Sequence, residues 1–160
     1  EISGLVLIGG TPGIEDQEEA IERAGKDAQL ASWIENAGIS AFVDYWERIP
    51  LFASQFHLPD VAKRSVRRIR LAQRSHGIAN SLRMASTGLM RSMWRDLEEL
   101  QISTLLITGA YDEKFTGIAQ QMERALPSGR HVTIPNAGHA AHIENPVVVK
   151  SYIEEFLRRP

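Results

Sequence analysis

Apolar and polar positions change rhythm three times along the 160 residues. The chain opens on Leu5-Val6-Leu7-Ile8, an unbroken apolar run that Gly9-Gly10-Thr11-Pro12-Gly13 stops. Such a run predicts a buried strand entering a loop. From about residue 15 to 95 the spacing is helical. Asp16 with Glu19 three residues on forms a capping-box pattern. Ala20, Ile21, Ala24, Ala28, Ala31 and Ile34 follow at helical intervals until Asn36-Ala37-Gly38 interrupts them. Ile39 to Trp46 predicts a shorter helix ending near Pro50, Pro59-Asp60 opens another toward Gln73, and Ile78 to Met90 supplies one more.

The last third alternates. Thr104 to Gly109 predicts a strand, Thr116 to Leu126 a helix, and His131 to Pro135 a second strand. Asn145-Pro146 then provides an N-cap with proline at the first helical position, leading a helix to about Leu157. Strand and helix in this order form βα units on a parallel sheet. The expected division is a core strand over 1–14, a helical insertion over 15–95, and a βαβα portion over 96–160. Three strands are few for a sheet covered on both faces, so this reading expects further strands upstream.

Composition narrows the class. Apolar residues make up 43% of the chain, enough for an ordinary core, and the formal net charge is −2. That charge supplies no global field toward nucleic acid or a membrane. No cysteine is present, which removes disulfides, thiol nucleophiles and thiolate metal sites. Apolar runs fall far short of the roughly 20 residues a membrane-spanning helix needs, and residues 1–4 show no secretory pattern. The expectation is a cytoplasmic α/β protein.

Two loops concentrate the chemistry. Asp112 follows the second strand, at the sheet edge where ligands gather in open α/β folds. It could equally serve only to cap the next helix. Asn136-Ala137-Gly138-His139-Ala140-Ala141-His142 follows the third strand and presents two histidines suited to acid–base work. Spacing alone does not choose between His139 and His142. An acid after one strand and a histidine after the next meet on one rim, where the carboxylate can orient the imidazole. This order is the tail of Ser…Asp…His, yet the chain contains no Gly-x-Ser-x-Gly. No metal-ligand cluster is visible. A further pattern lies between Val61 and Arg95, where nine basic residues, eight of them arginine, occur without an acid. Arginine suits bidentate recognition of carboxylates. A solvated helix face would show the same pattern, and no nucleic-acid module accompanies it.

Taken together, these stretches resemble the carboxyl-terminal part of an α/β-hydrolase-fold enzyme. More narrowly, they are similar to the 2-succinyl-6-hydroxy-2,4-cyclohexadiene-1-carboxylate synthase family of menaquinone biosynthesis. Tyr45-Trp46-Glu47-Arg48-Ile49-Pro50-Leu51-Phe52 is the narrower signal, supported by Pro12-Gly13 and Asn80-Ser81-Leu82. Gly109 to Phe115, Ala137-Gly138-His139 and Glu144-Asn145-Pro146 are hydrolase-wide. The resemblance implies three parallel strands with flanking helices and a helical lid. It implies Asp112 and His139 as triad members, and Arg23, Trp46 and Arg74 as contacts to a small tri-carboxylate substrate from which pyruvate is eliminated. It implies no metal or organic cofactor, no nucleic acid and no membrane partner. The serine and oxyanion-hole donors would lie in an upstream half of the same fold. Rival readings are a serine hydrolase acting on an ester or C–C bond, and a chain that is inactive by itself.

Overall fold

The computed structural model describes residues 2–158. The chain forms two compact units, one from the segments up to Pro12, Leu51–Gln55 and from Met93 onward, the other from Gly13–Pro50 and Phe56–Ser92.

The first unit holds a three-stranded parallel sheet. Strands β1 (Gly4–Ile8), β2 (Ser103–Gly109) and β3 (Gly129–Ile134) lie in that spatial order. Leu5 pairs with Thr104 and Ile8 with Ile107, while Thr104 pairs with Gly129 and Gly109 with Ile134. The central strand, β2, is buried from Thr104 through Gly109. Successive side chains leave a strand on opposite faces, and the core divides accordingly. Leu105 and Ile107 pack with Ile134, Ala137, Ala141 and Val149 on one face. Leu106 packs with Leu97, Ala119, Met122 and Leu126 on the other. Helix α4 (Glu113–Ala125) supplies Ala119 and Met122. On the opposite face lie α5 (Ala141–Glu144) and α6 (Pro146–Leu157). Asn145 caps α6 as its spacing predicts, accepting from the Val148 amide at 3.4 Å.

The second unit is helical. Helix α1 (Gln17–Trp46) starts at Asp16, whose Oδ1 accepts from the Glu19 amide at 2.8 Å. It breaks at Gly38, where φ is 85°, so the expected interruption is a kink within one long element. The buried stripe differs from the apolar count. Ile21 and Ala28 are exposed, while Asp27 occupies a buried position between Ala24 and Ala31. Asp27 is tolerated there because its Oδ2 accepts from Ser86 Oγ at 2.7 Å and from Arg23 Nε at 2.9 Å. Helix α2 (Asp60–Leu71) begins where Pro59-Asp60 predicts. Helix α3 spans Ser75–Met84 instead of Ile78 to Met90. It stops early because Ser86 must reach Asp27, and because Gly88 lies so close to α1 that a Cβ would overlap Ala20 and Ala24 backbone atoms. Ile34, Phe42 and Val43 form this unit's core with Ile78 and Leu82 against them.

Among the described residues, no helix is long and apolar enough to cross a membrane. Among the described residues, strand β1 pairs with β2 on one side only, and its five residues are half-buried where β2 is buried from Thr104 onward. An unpaired edge of Leu-Val-Leu-Ile favours association with other chains. The 160-residue chain on its own is therefore expected to elute as oligomers or aggregates when sized by light scattering, whereas a monodisperse monomer at micromolar concentration would contradict this.

Candidate active site

Strands β2 and β3 are parallel neighbours, so the loops leaving their carboxyl ends share one rim. The turn after β2 is held by Ala110 N donating to Ile134 O and Tyr111 N donating to Ala137 O, both at 2.9 Å. These bonds tie the loop carrying Asp112 to the loop carrying His139. The approach is so close that a Cβ on Gly109 would overlap the Ala137 and Gly138 carbonyls. Tyr111 Oη adds a bond to Asn136 Oδ1 at 3.2 Å.

Asp112 is 6% exposed and uses both carboxylate oxygens. Oδ1 accepts from the Phe115 amide at 3.3 Å, capping α4, and Oδ2 lies 2.7 Å from His139 Nδ1. The capping and imidazole-orienting readings of this residue thus coexist. With Nδ1–H donating to the carboxylate, Nε2 is left as the basic nitrogen. His142 stands on α5, exposed, with no hydrogen bond to a described residue.

The imidazole of His139 is confined on several sides. The Phe115 ring centroid lies 4.5 Å from it and that of Phe52 5.9 Å. Gly9, at φ 59°, closes another side: a Cβ there would stand 2.9 Å from His139 Cε1. Before His139, the Gly138 amide donates to Glu144 Oε2 at 2.8 Å. The sequence reading does not assign Phe52, Phe115, Gly9 or Glu144 to the site. The usable signals were Gly9 ending a buried run and Phe115 three residues beyond the acid, in the first turn it caps.

The other expected site residues belong to the helical unit. Arg23 is committed to Asp27, with 46% of its side chain exposed. Trp46 packs on Phe42 with ring centroids 5.2 Å apart. Arg74 is the exposed N-cap residue of α3. The basic run is neither a bare solvated face nor a free cationic patch. Arg67 bridges Asp44 and Glu47 at 2.6 Å each, Arg70 reaches Glu47 at 3.3 Å, and Arg83 meets Glu35 at 2.6 Å. Carboxylates on α1 and just past its end therefore hold several of these arginines. Among the described residues, no group of three or more His, Asp or Glu side chains could hold a metal ion.

The fold that carries this pair, a parallel sheet covered on both faces, recurs in known structures. The chain superposes on the structure of MenH from S. aureus with a TM-score of 0.96 and 38% identity, covering 98% of this chain and 59% of that one. A thermophilic esterase from Thermogutta terrifontis gives a TM-score of 0.79 at 24% identity over 98% of this chain and 56% of its own. The chain has the carboxyl-terminal part of the α/β-hydrolase fold. Within that fold, it is 42% identical over 156 residues to a Bacillus subtilis (strain 168) protein assigned as a 2-succinyl-6-hydroxy-2,4-cyclohexadiene-1-carboxylate synthase. That match covers 98% of this chain and 57% of the relative. The synthase of that name from Enterobacter sp. (strain 638) is 30% identical over 97% of this chain and 57% of its own. The chain thus spans less than two thirds of each of these relatives. No protein-family model matches it.

A further histidine, His131, lies on β3. His131 Nε2 is 2.7 Å from Thr108 Oγ1, which also accepts from Thr116 Oγ1 at 3.0 Å. The Thr108 hydroxyl donates to Nε2 where that nitrogen is unprotonated and accepts from it where it carries the proton. Burial lowers the pKa of His131 from its ordinary 6.5, against the opposing pull of Glu123. A depressed histidine pKa means the unfolded chain takes up the proton first, so the stabilisation is complete above pH 6.5 and is lost as pH falls below it. Denaturant titrations are expected to show stability declining below that pH, with a shallower decline in His131→Gln.

Proposed function

We propose that the chain is the carboxyl-terminal portion of a 2-succinyl-6-hydroxy-2,4-cyclohexadiene-1-carboxylate synthase acting in menaquinone biosynthesis. The observation that carries this reading is the 42% identity, spread over 98% of the chain, to a protein assigned that activity. An upstream half of the fold pairs with the open edge of β1 and brings the nucleophile serine and the oxyanion donors. The substrate is 2-succinyl-5-enolpyruvyl-6-hydroxy-3-cyclohexene-1-carboxylate.

In this mechanism, His139 Nε2 takes the proton of the upstream serine, and Asp112 stabilises the resulting imidazolium. The serine oxygen, now basic, removes a ring proton. The electrons of the C2–H bond form the C2–C3 double bond, the C3–C4 double bond shifts to C4–C5, the C5–O bond to the enolpyruvyl group breaks, and pyruvate leaves as its enolate and is protonated. Phe52 and Phe115 hold the imidazole face and limit its exchange with water. Both the 2.7 Å Asp112–His139 bond and the confinement of the ring support the acid–base part of the reading.

Three carboxylates on the substrate need cationic partners. Arg74 suits one, since its guanidinium is exposed and forms no ion pair with a described residue. Arg23 takes a second with the exposed part of its side chain, and Trp46 receives the ring. No metal or organic cofactor enters the scheme. Without its serine, the isolated chain is expected to be inactive.

The test is pyruvate release by the chain joined to its upstream half, with the 160 residues alone as control. The completed protein is expected to release pyruvate, with the rate falling by about 10³-fold or more in His139→Ala and the isolated chain silent. A folded, completed protein that turns over esters and releases no pyruvate would replace the synthase with a serine hydrolase.

A further inference from the structure

Glu144 sits at the end of α5, and this short turn returns its carboxylate to the loop that carries His139. Its Oε2 accepts from the Gly138 amide at 2.8 Å. Gly138 is buried and immediately precedes His139, so its N–H has to find a partner inside the protein. The other carboxylate oxygen, Oε1, is buried without a hydrogen-bond partner among the described residues. A half-satisfied buried carboxylate is costly, and an apolar side chain would avoid that cost. What the glutamate achieves in return is one bond to the Ala137–Gly138 peptide, one residue ahead of the imidazole.

We propose that Glu144 is a positioning residue for His139: its hydrogen bond to the Gly138 amide fixes the backbone from which the imidazole reaches Asp112 on one side and the serine on the other. This rests on His139 being the base, as proposed above. The required property is reach, not charge. Glutamine keeps an acceptor oxygen at the same distance, while aspartate keeps the charge but is one methylene short.

Glu144→Ala, Glu144→Asp, Glu144→Gln and His139→Ala are compared in the completed protein by pyruvate release and thermal melting. Misplacing a reacting group by about an ångström costs on the order of 10- to 100-fold in rate. That loss is expected in kcat for the alanine and aspartate variants, with KM within about twofold because ground-state binding is untouched. Glutamine is expected to rescue kcat to within about threefold of the parent. Aspartate or alanine retaining parental kcat would overturn the proposal, as would a folded glutamine variant as slow as alanine. Should alanine and aspartate both fail to fold while glutamine is active, the role is structural alone and the proposal falls. If His139→Ala itself keeps full activity, the fault lies with the assignment of the base, an outcome separate from any result at Glu144.

Discussion

The bond between Asp112 and His139 depends on β2 and β3 being adjacent, parallel and in register from Thr104–Gly129 to Gly109–Ile134. Adjacent parallel strands bring the loops at their carboxyl ends to one edge, and the ladder fixes how far each loop starts from the other. The two backbone bonds from Ala110 and Tyr111 then continue the pairing past the last strand residues. The close approach at Gly109 follows from that continuation. Burial of Leu105, Leu106 and Ile107 on both faces of β2 holds the arrangement in place. Each such side chain contributes roughly 1.5–3 kcal/mol when removed from water, so the rim inherits the rigidity of the sheet interior.

The helical unit obeys a different logic. Its buried stripe contains a carboxylate, Asp27, and several of its arginines answer carboxylates on α1 or just beyond it. Exposed pairs of this kind contribute little individually. Arg67 differs because one guanidinium engages two acids at once, and those partners raise its pKa. A forked contact of that type sets the relative rotation of α1 and α2 more than it adds stability. Cationic groups in this unit thus divide into those that hold helices together and those, such as Arg74, that pair with no carboxylate among the described residues.

Much of this was legible in the sequence. The strands, the N-caps at Asp16 and Asn145, and the pairing of Asp112 with a histidine of the next loop all follow from apolar runs and cap chemistry. Less legible were features in which tertiary contact overrides local pattern. Ile21 and Ala28 match the helical period but face solvent, because a helix stripe about 100° wide cannot include every apolar residue near it. Helix α3 stops at Met84 for the sake of a partner 59 residues away. The choice between His139 and His142 required knowing which one the turn after β3 directs toward Asp112. Gly9 and Phe52 reach the imidazole from segments distant in sequence, and no spacing rule announces such contacts.

One consequence concerns when order is acquired. Asp112 has one oxygen bound to the first turn of α4 and the other to the imidazole. A carboxylate anchored at both ends keeps little torsional freedom, so capping the helix and choosing the histidine tautomer become a single event. The entropy of aiming the imidazole is then charged to folding and not to the arrival of a ligand. Any later encounter begins with that debt already settled.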